Sequence, residues 1–157
     1  NKGQIDPTQL VIVDEQQNVI NGEGRASAET TLHIEIIKKL KCSAVLHTHS
    51  IYATVLSDHF EKQAAIRLEG WEMLKGIKGI STHETSIDIP IVANNQDMQE
   101  LSRVVYTYLN GNIPGILVAG HGLYAWGDSL AEAQRHVEIL EFLLSAIWHK
   151  QLLPPVR

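Results

Sequence analysis

The segment Ala44-Val45-Leu46-His47-Thr48-His49-Ser50 is an apolar run that ends in two histidines separated by one residue. Side chains alternate faces along a strand, so His47 and His49 point the same way. A second apolar run, Gly115-Ile116-Leu117-Val118-Ala119-Gly120, leads straight into His121. If the two strands are neighbours, three imidazoles meet at one end of a sheet. Three histidines suit zinc and leave one coordination position open to a substrate. The same residues also fit structural histidines satisfied by backbone groups, because one sequence does not reveal which strands pair.

Working outward, strands and helices interleave. Leu10 to Asp14 reads as a buried strand with a hairpin partner around Asn18-Val19-Ile20, followed by a turn at Gly22-Glu23-Gly24. Ser27 can cap a helix to about Leu40, with Leu32, Ile36 and Leu40 on one face. Ser50 caps a short helix to about Leu56. Leu68, Trp71, Leu74 and Ile77 recur at spacing three, which predicts a helix over 64–77. Ile89 to Val92 reads as a strand whose Pro90 favours a sheet edge or a strand start. A helix over 96–109 stops at Gly111. Strands over 115–119 and 123–126 follow, and then a long helix over 129–150. This order predicts one α/β layered domain with a mixed or largely antiparallel sheet.

The 157 residues fit one sizeable core. Apolar residues make up 44%, charged residues 20%, and the net charge is -5 without a basic run, which argues against nucleic acid. The single cysteine, Cys42, excludes an internal disulfide and agrees with a cytoplasmic setting. No stretch is long enough to span a bilayer. The opening Asn1-Lys2-Gly3-Gln4 reads as the middle of a loop, so an N-terminal piece is expected to precede it.

Two carboxylates are candidates for acid/base work. Glu29 falls in the first turn of the helix after Ser27, where it also serves simply as a favourable charge at the positive helix end. Glu72 follows Trp71 beside the apolar stripe, which predicts partial burial; its plain alternative is a salt bridge to Lys75 or Lys78. His33, His59, His83, His136 and His149 fit structural or solvated roles better than a ligand role. Tyr124 and Trp126 alternate on a strand and read as core, as does Cys42.

The segments KGQIDPTQLVIVD (2–14), SAETTLH (27–33), AVLHTHS (44–50), EGWEMLKGI (69–77) and GILVAGHGLYAWG (115–127) run through nearly the whole chain. Together they resemble the class II aldolase/adducin family, and EMLKGI resembles its dehydratase branch. The resemblance implies a three-layer α/β/α domain over 1–157, with one zinc ion per subunit held by His47, His49 and His121. It implies a dehydratase acting on a phosphorylated ketose, with Glu72 as acid/base. Glu29 falls where related aldolases keep their catalytic glutamate, so a sugar-phosphate aldolase or epimerase is the first alternative. A non-catalytic adducin-like scaffold is the second. Lys2 and Gly3 match the edge of the family's phosphate pocket. The family is typically tetrameric, which implies a homo-oligomer with sites near subunit boundaries.

Overall fold

The structure, a computed structural model, describes residues 6–154. Its centre is a five-stranded sheet of β3 (Ala44–Thr48), β4 (Ala65–Glu69), β5 (Ser86–Val92), β6 (Gly115–Val118) and β7 (Gly122–Gly127). The spatial order is β3-β7-β6-β5-β4. Only β5 and β6 pair in parallel; the other neighbours are antiparallel. The helices are α1 (Thr30–Leu40), α2 (Ile51–His59), α3 (Met98–Tyr108) and α4 (Leu130–Gln151). A small hairpin of β1 (Ile12–Val13) and β2 (Val19–Asn21) stands apart from the main sheet.

The period-two alternation of the central strands divides the core in two. Ile116, Val118, Tyr124 and Trp126 face Leu32 and Ile36 of α1 and Leu101 and Val105 of α3. Their neighbours Leu117, Ala119, Leu123 and Ala125 face Ala53 and Leu56 of α2 and Leu140, Leu143 and Leu144 of α4. Because β6 and β7 are buried on both faces, they read as continuous apolar runs rather than as alternating ones. The result is the expected three-layer α/β/α arrangement around a mixed, largely antiparallel sheet.

Three expectations are corrected. The 64–77 segment is not a helix: Ala65–Glu69 is edge strand β4, and Glu72–Gly76 is a single 3-10 turn. The deciding signal is the alternation within Ala65-Ile66-Arg67-Leu68-Glu69, with Ile66 and Leu68 buried and Arg67 and Glu69 exposed. Gly70 then takes φ +73°, a left-handed turn that ends the strand. The Leu10 to Asp14 segment is not a buried strand; Leu10 and Ile12 are exposed and the hairpin is short. Pro90 lies inside β5, not at a sheet edge; pairing with β6 begins only at Ile91, so the missing N–H breaks no bond on that side. Among the described residues, no helix is long and apolar enough to cross a membrane.

Candidate metal centre

β3 and β7 are antiparallel neighbours, with His47 opposite Tyr124 and Thr48 opposite Leu123. His47 is on the face that looks toward α1, and its ring stacks on that of Tyr124 with centroids 3.9 Å apart and planes 15° apart. Tyr124 is fully buried, and its hydroxyl has no hydrogen-bond partner among the described residues. Burial holds that hydroxyl well above the ordinary tyrosine range, and the ring gives His47 a flat support.

His121 arrives from the tight β6–β7 connection. Its N–H donates to the Val118 carbonyl at 3.0 Å, and Gly120 takes φ +62°. Gly122 permits the close approach of the two strands: a Cβ there would stand 2.1 Å from the Thr48 carbonyl oxygen. Helix α2 fixes this turn from below. The fully buried Ser57 hydroxyl donates to Val118 O at 3.2 Å and accepts from the Gly120 N–H at 3.1 Å. Thr54 donates to the His121 carbonyl at 3.0 Å.

The three Nε2 atoms converge. His47 and His49 are 2.7 Å apart, His49 and His121 3.0 Å, and His47 and His121 3.3 Å. His47 Nδ1 lies 2.9 Å from the Leu123 carbonyl, so Nδ1 carries the proton and Nε2 presents its lone pair to the cluster. Burial, opposed in part by the Leu123 carbonyl and Glu29, lowers the His47 pKa to about 4. A neutral imidazole with its second nitrogen tied to a carbonyl is the form in which histidine binds metals.

Glu29 completes the group. It occupies the N-cap position of α1, where a side-chain oxygen usually caps the first turn, yet its carboxylate makes no capping bond. Instead Oε1 lies 3.1 Å from His121 Nε2, 3.4 Å from His47 Nε2 and 3.9 Å from His49 Nε2. Ser27, expected as the cap, accepts from the Glu29 N–H at 3.3 Å. The four ligand atoms all lie within 4.8 Å of one another. Three lone-pair nitrogens this close repel unless protons or a cation lie between them, so the donor set fits a divalent metal ion.

Glu72 is not part of this group. It lies in the exposed 3-10 turn, bonded to Lys75 at 2.7 Å and 3.2 Å from His83 Nδ1. Its side chain is 69% exposed, not partly buried as the apolar stripe predicts. The Lys75 hydrogen bond, with smaller help from the charges of Lys75 and His83, holds its pKa below the usual carboxylate range. Lys2 and Gly3 fall outside the described residues. His136 is structural, its Nδ1 2.7 Å from the Trp126 carbonyl. Sequence reading missed Glu141, which bonds Thr48 and Ser50, the two neighbours of His49. The available signal was the alternation that turns both hydroxyls away from the histidines and toward α4.

The model of the class II aldolase and adducin N-terminal domain matches residues 1–148. A methylthioribulose-1-phosphate dehydratase from Stenotrophomonas maltophilia (strain R551-3) is 44% identical over 146 residues, covering 92% of this chain and 68% of that protein. One from Parvibaculum lavamentivorans is 48% identical over 130 residues, covering 81% and 64%. The chain thus spans about two thirds of the length of these relatives. Among solved structures, an L-fuculose 1-phosphate aldolase superposes with a TM-score of 0.74 at 24% identity, covering 98% of this chain and 68% of that one. YgbL from Escherichia coli gives a TM-score of 0.76 at 24% identity, covering 99% and 71%. The two structures share the fold, and the sequence match assigns the lineage: this chain belongs to the class II aldolase and adducin N-terminal domain family.

Proposed function

We propose that this chain is the catalytic domain of a metal-dependent hydro-lyase that dehydrates 5-methylthioribulose 1-phosphate to 5-methylthio-2,3-diketopentyl 1-phosphate, a step of methionine salvage. The observation that carries the reading is the 44% and 48% identity to relatives that bear that enzyme's name. The convergence of three neutral-capable imidazoles and a carboxylate supports an enzyme over a scaffold.

His47, His49 and His121 would hold the cation, and zinc suits three imidazoles. Bound there, it supplies Lewis acidity toward the oxygens of a ketose. The chain's own groups do the rest. The Leu123 carbonyl and the Tyr124 ring keep His47 oriented. Glu29, at the cluster, orients a hydroxyl or holds a proton beside the reacting carbons. The overall change removes the C3 proton and, with a proton given to the C4 hydroxyl, releases water; the resulting enol becomes the diketone. Glu72 is assigned the proton at C4 on the strength of the EMLKGI motif alone. Lys2 and Gly3 are assigned to the phosphate on the same basis.

The domain boundary over 1–157, a homotetramer and a cytoplasmic setting belong to the same reading. The tetramer is supported by the family resemblance and by apolar side chains exposed on α2 and α4, with Ile51 at 77% and Phe142 at 48%. The cytoplasm is supported by the lone cysteine. The deciding experiment incubates the zinc-loaded protein with methylthioribulose 1-phosphate and follows the product by mass spectrometry. Loss of one water with the carbon chain intact is expected. Cleavage into two fragments would replace this reading with an aldolase that uses Glu29, and an untouched substrate would overturn it.

A further inference from the structure

His49 is the most exposed of the three histidines, with 45% of its side chain accessible against 5% for His47 and 22% for His121. It also lies one residue beyond the end of β3, where the ladder to β7 has stopped. The structure nevertheless holds the backbone on both sides of it. Thr48 Oγ1 donates to Glu141 Oε1 at 2.6 Å, and Ser50 Oγ donates to Glu141 Oε2. The same Ser50 hydroxyl accepts from the Ala53 N–H at 3.0 Å and so caps α2. One carboxylate on α4 therefore ties both neighbours of His49, and the start of α2, to the helix layer opposite α1. Hydroxyl bonds to an ionised acceptor are short and about twice as strong as neutral ones.

From this geometry we infer that Glu141 is a positioning residue for His49, acting through Thr48 and Ser50 to aim the imidazole at His47 and His121. The inference rests on the reading of the three histidines as metal ligands. His47 and His121 have their own supports, in the Leu123 carbonyl with the Tyr124 ring and in the Thr54 and Ser57 hydroxyls. Glu141 adds a support for the third ligand, through the backbone on both sides of it and from outside the group of four that converges.

The test uses Glu141→Leu, which removes both acceptors, Glu141→Gln, whose amide can still bond both hydroxyls, and Thr48→Val, which deletes one hydroxyl at nearly constant shape. Cobalt(II) is the probe, with affinity read by chelator competition and ligand geometry by the visible spectrum. The line widths of the His47 and His49 ring resonances are read in the metal-free protein. Glu141→Leu should weaken cobalt binding by about 10–100-fold, as loss of an outer hydrogen bond to a metal site does. It should also change the spectrum and broaden His49 while His47 stays sharp. Glu141→Gln should recover most of the loss, and Thr48→Val should fall between. A folded Glu141→Leu protein with unchanged affinity, spectrum and His49 resonances overturns the inference. If that variant does not fold, an unchanged Thr48→Val protein overturns it equally. If the parent protein binds no cobalt, the metal reading falls, and the His49 line widths alone decide the role of Glu141.

Discussion

Glu29 Oε1 lies 3.1 Å from Nε2 of His121, a contact between the residue that opens α1 and a residue of the β6–β7 turn. The two come from far-apart parts of the chain, and nothing local brings them together. A carboxylate in the N-cap position ordinarily turns back onto its own helix; this one turns outward to the histidines.

The first prediction concerns metal. The protein should bind one divalent ion per chain, with zinc favoured, and Zn–N distances of roughly 2.0–2.1 Å should appear in X-ray absorption. His49→Ala should remove the metal while leaving the fold in place, because nearly half of its side chain is exposed. Stoichiometric zinc retained by a folded His49→Ala protein after dialysis would rule out the three-histidine site.

Much of this site is legible in the sequence, and what is not has a physical reason. The His-x-His at the end of β3 fixes a shared face by strand periodicity alone, and Gly120 and Gly122 around His121 signal a tight turn and a close approach. Which strand neighbours which is a property of the sheet, so the meeting of β3 with β7 emerges only from the fold. The 64–77 segment misleads because Leu68, Trp71, Leu74 and Ile77 match a helical period by coincidence. Leu68 belongs to a strand, Leu74 to a 3-10 turn and Ile77 to the residue that ends it. Partial burial of Glu72 goes with that helix and is absent with it. For Glu141 the sequence shows only that Thr48 and Ser50 face away from the histidines; their partner lies on α4, more than 90 residues away, and the contact exists only across layers.

The second prediction is for Gly122→Ala. Even this methyl group would stand 2.1 Å from Thr48 O and 3.3 Å from His47 Cε1, with backbone on one side that cannot swing away. The strands must part at the end where the histidines meet. Stability should fall by about 1–3 kcal/mol, the range for overpacking, and metal affinity should fall with it. Thermal melts and metal titration check this; a variant with the parent's melting temperature and affinity would show that the β3–β7 spacing is wrong.

The third concerns pH. His33, on α1, is half-buried, packs edge-on to Tyr124 and hydrogen-bonds the Val45 backbone. Burial lowers its pKa below the usual 6.5, against a smaller upward pull from Glu29 and the Val45 backbone. The unfolded chain then binds more protons than the folded one in the window just below pH 6.5, so stability rises with pH there. The contribution of His33 is complete above pH 6.5 and is lost as pH falls from 6.5 toward its folded value. The slope it adds is at most about 1.4 kcal/mol per pH unit. Denaturant melts from pH 7 to 5 should show His33→Gln less acid-sensitive than the parent; equal slopes would remove His33 as a source.

The last prediction separates the two carboxylates by the kind of damage each causes. Glu29 stands within 3.1–3.9 Å of all three Nε2 atoms, so Glu29→Gln removes a charge that attracts the cation. It should lower both metal affinity and turnover. Glu72 stands outside the cluster, bonded to Lys75 and beside His83, so Glu72→Gln should leave the affinity alone. If Glu72 donates the proton to the leaving hydroxyl, turnover of the metal-saturated variant should fall by roughly 10²–10⁴-fold, the usual size of a lost general acid. Its depressed pKa sharpens the test: an ionised carboxylate must first accept a proton, so catalysis through Glu72 should weaken as pH rises. Metal titration, followed by turnover at saturating zinc across a pH series, reads both effects. A Glu72→Gln enzyme of near-normal turnover, beside an inactive Glu29→Gln enzyme at full metal occupancy, would assign the proton chemistry to Glu29.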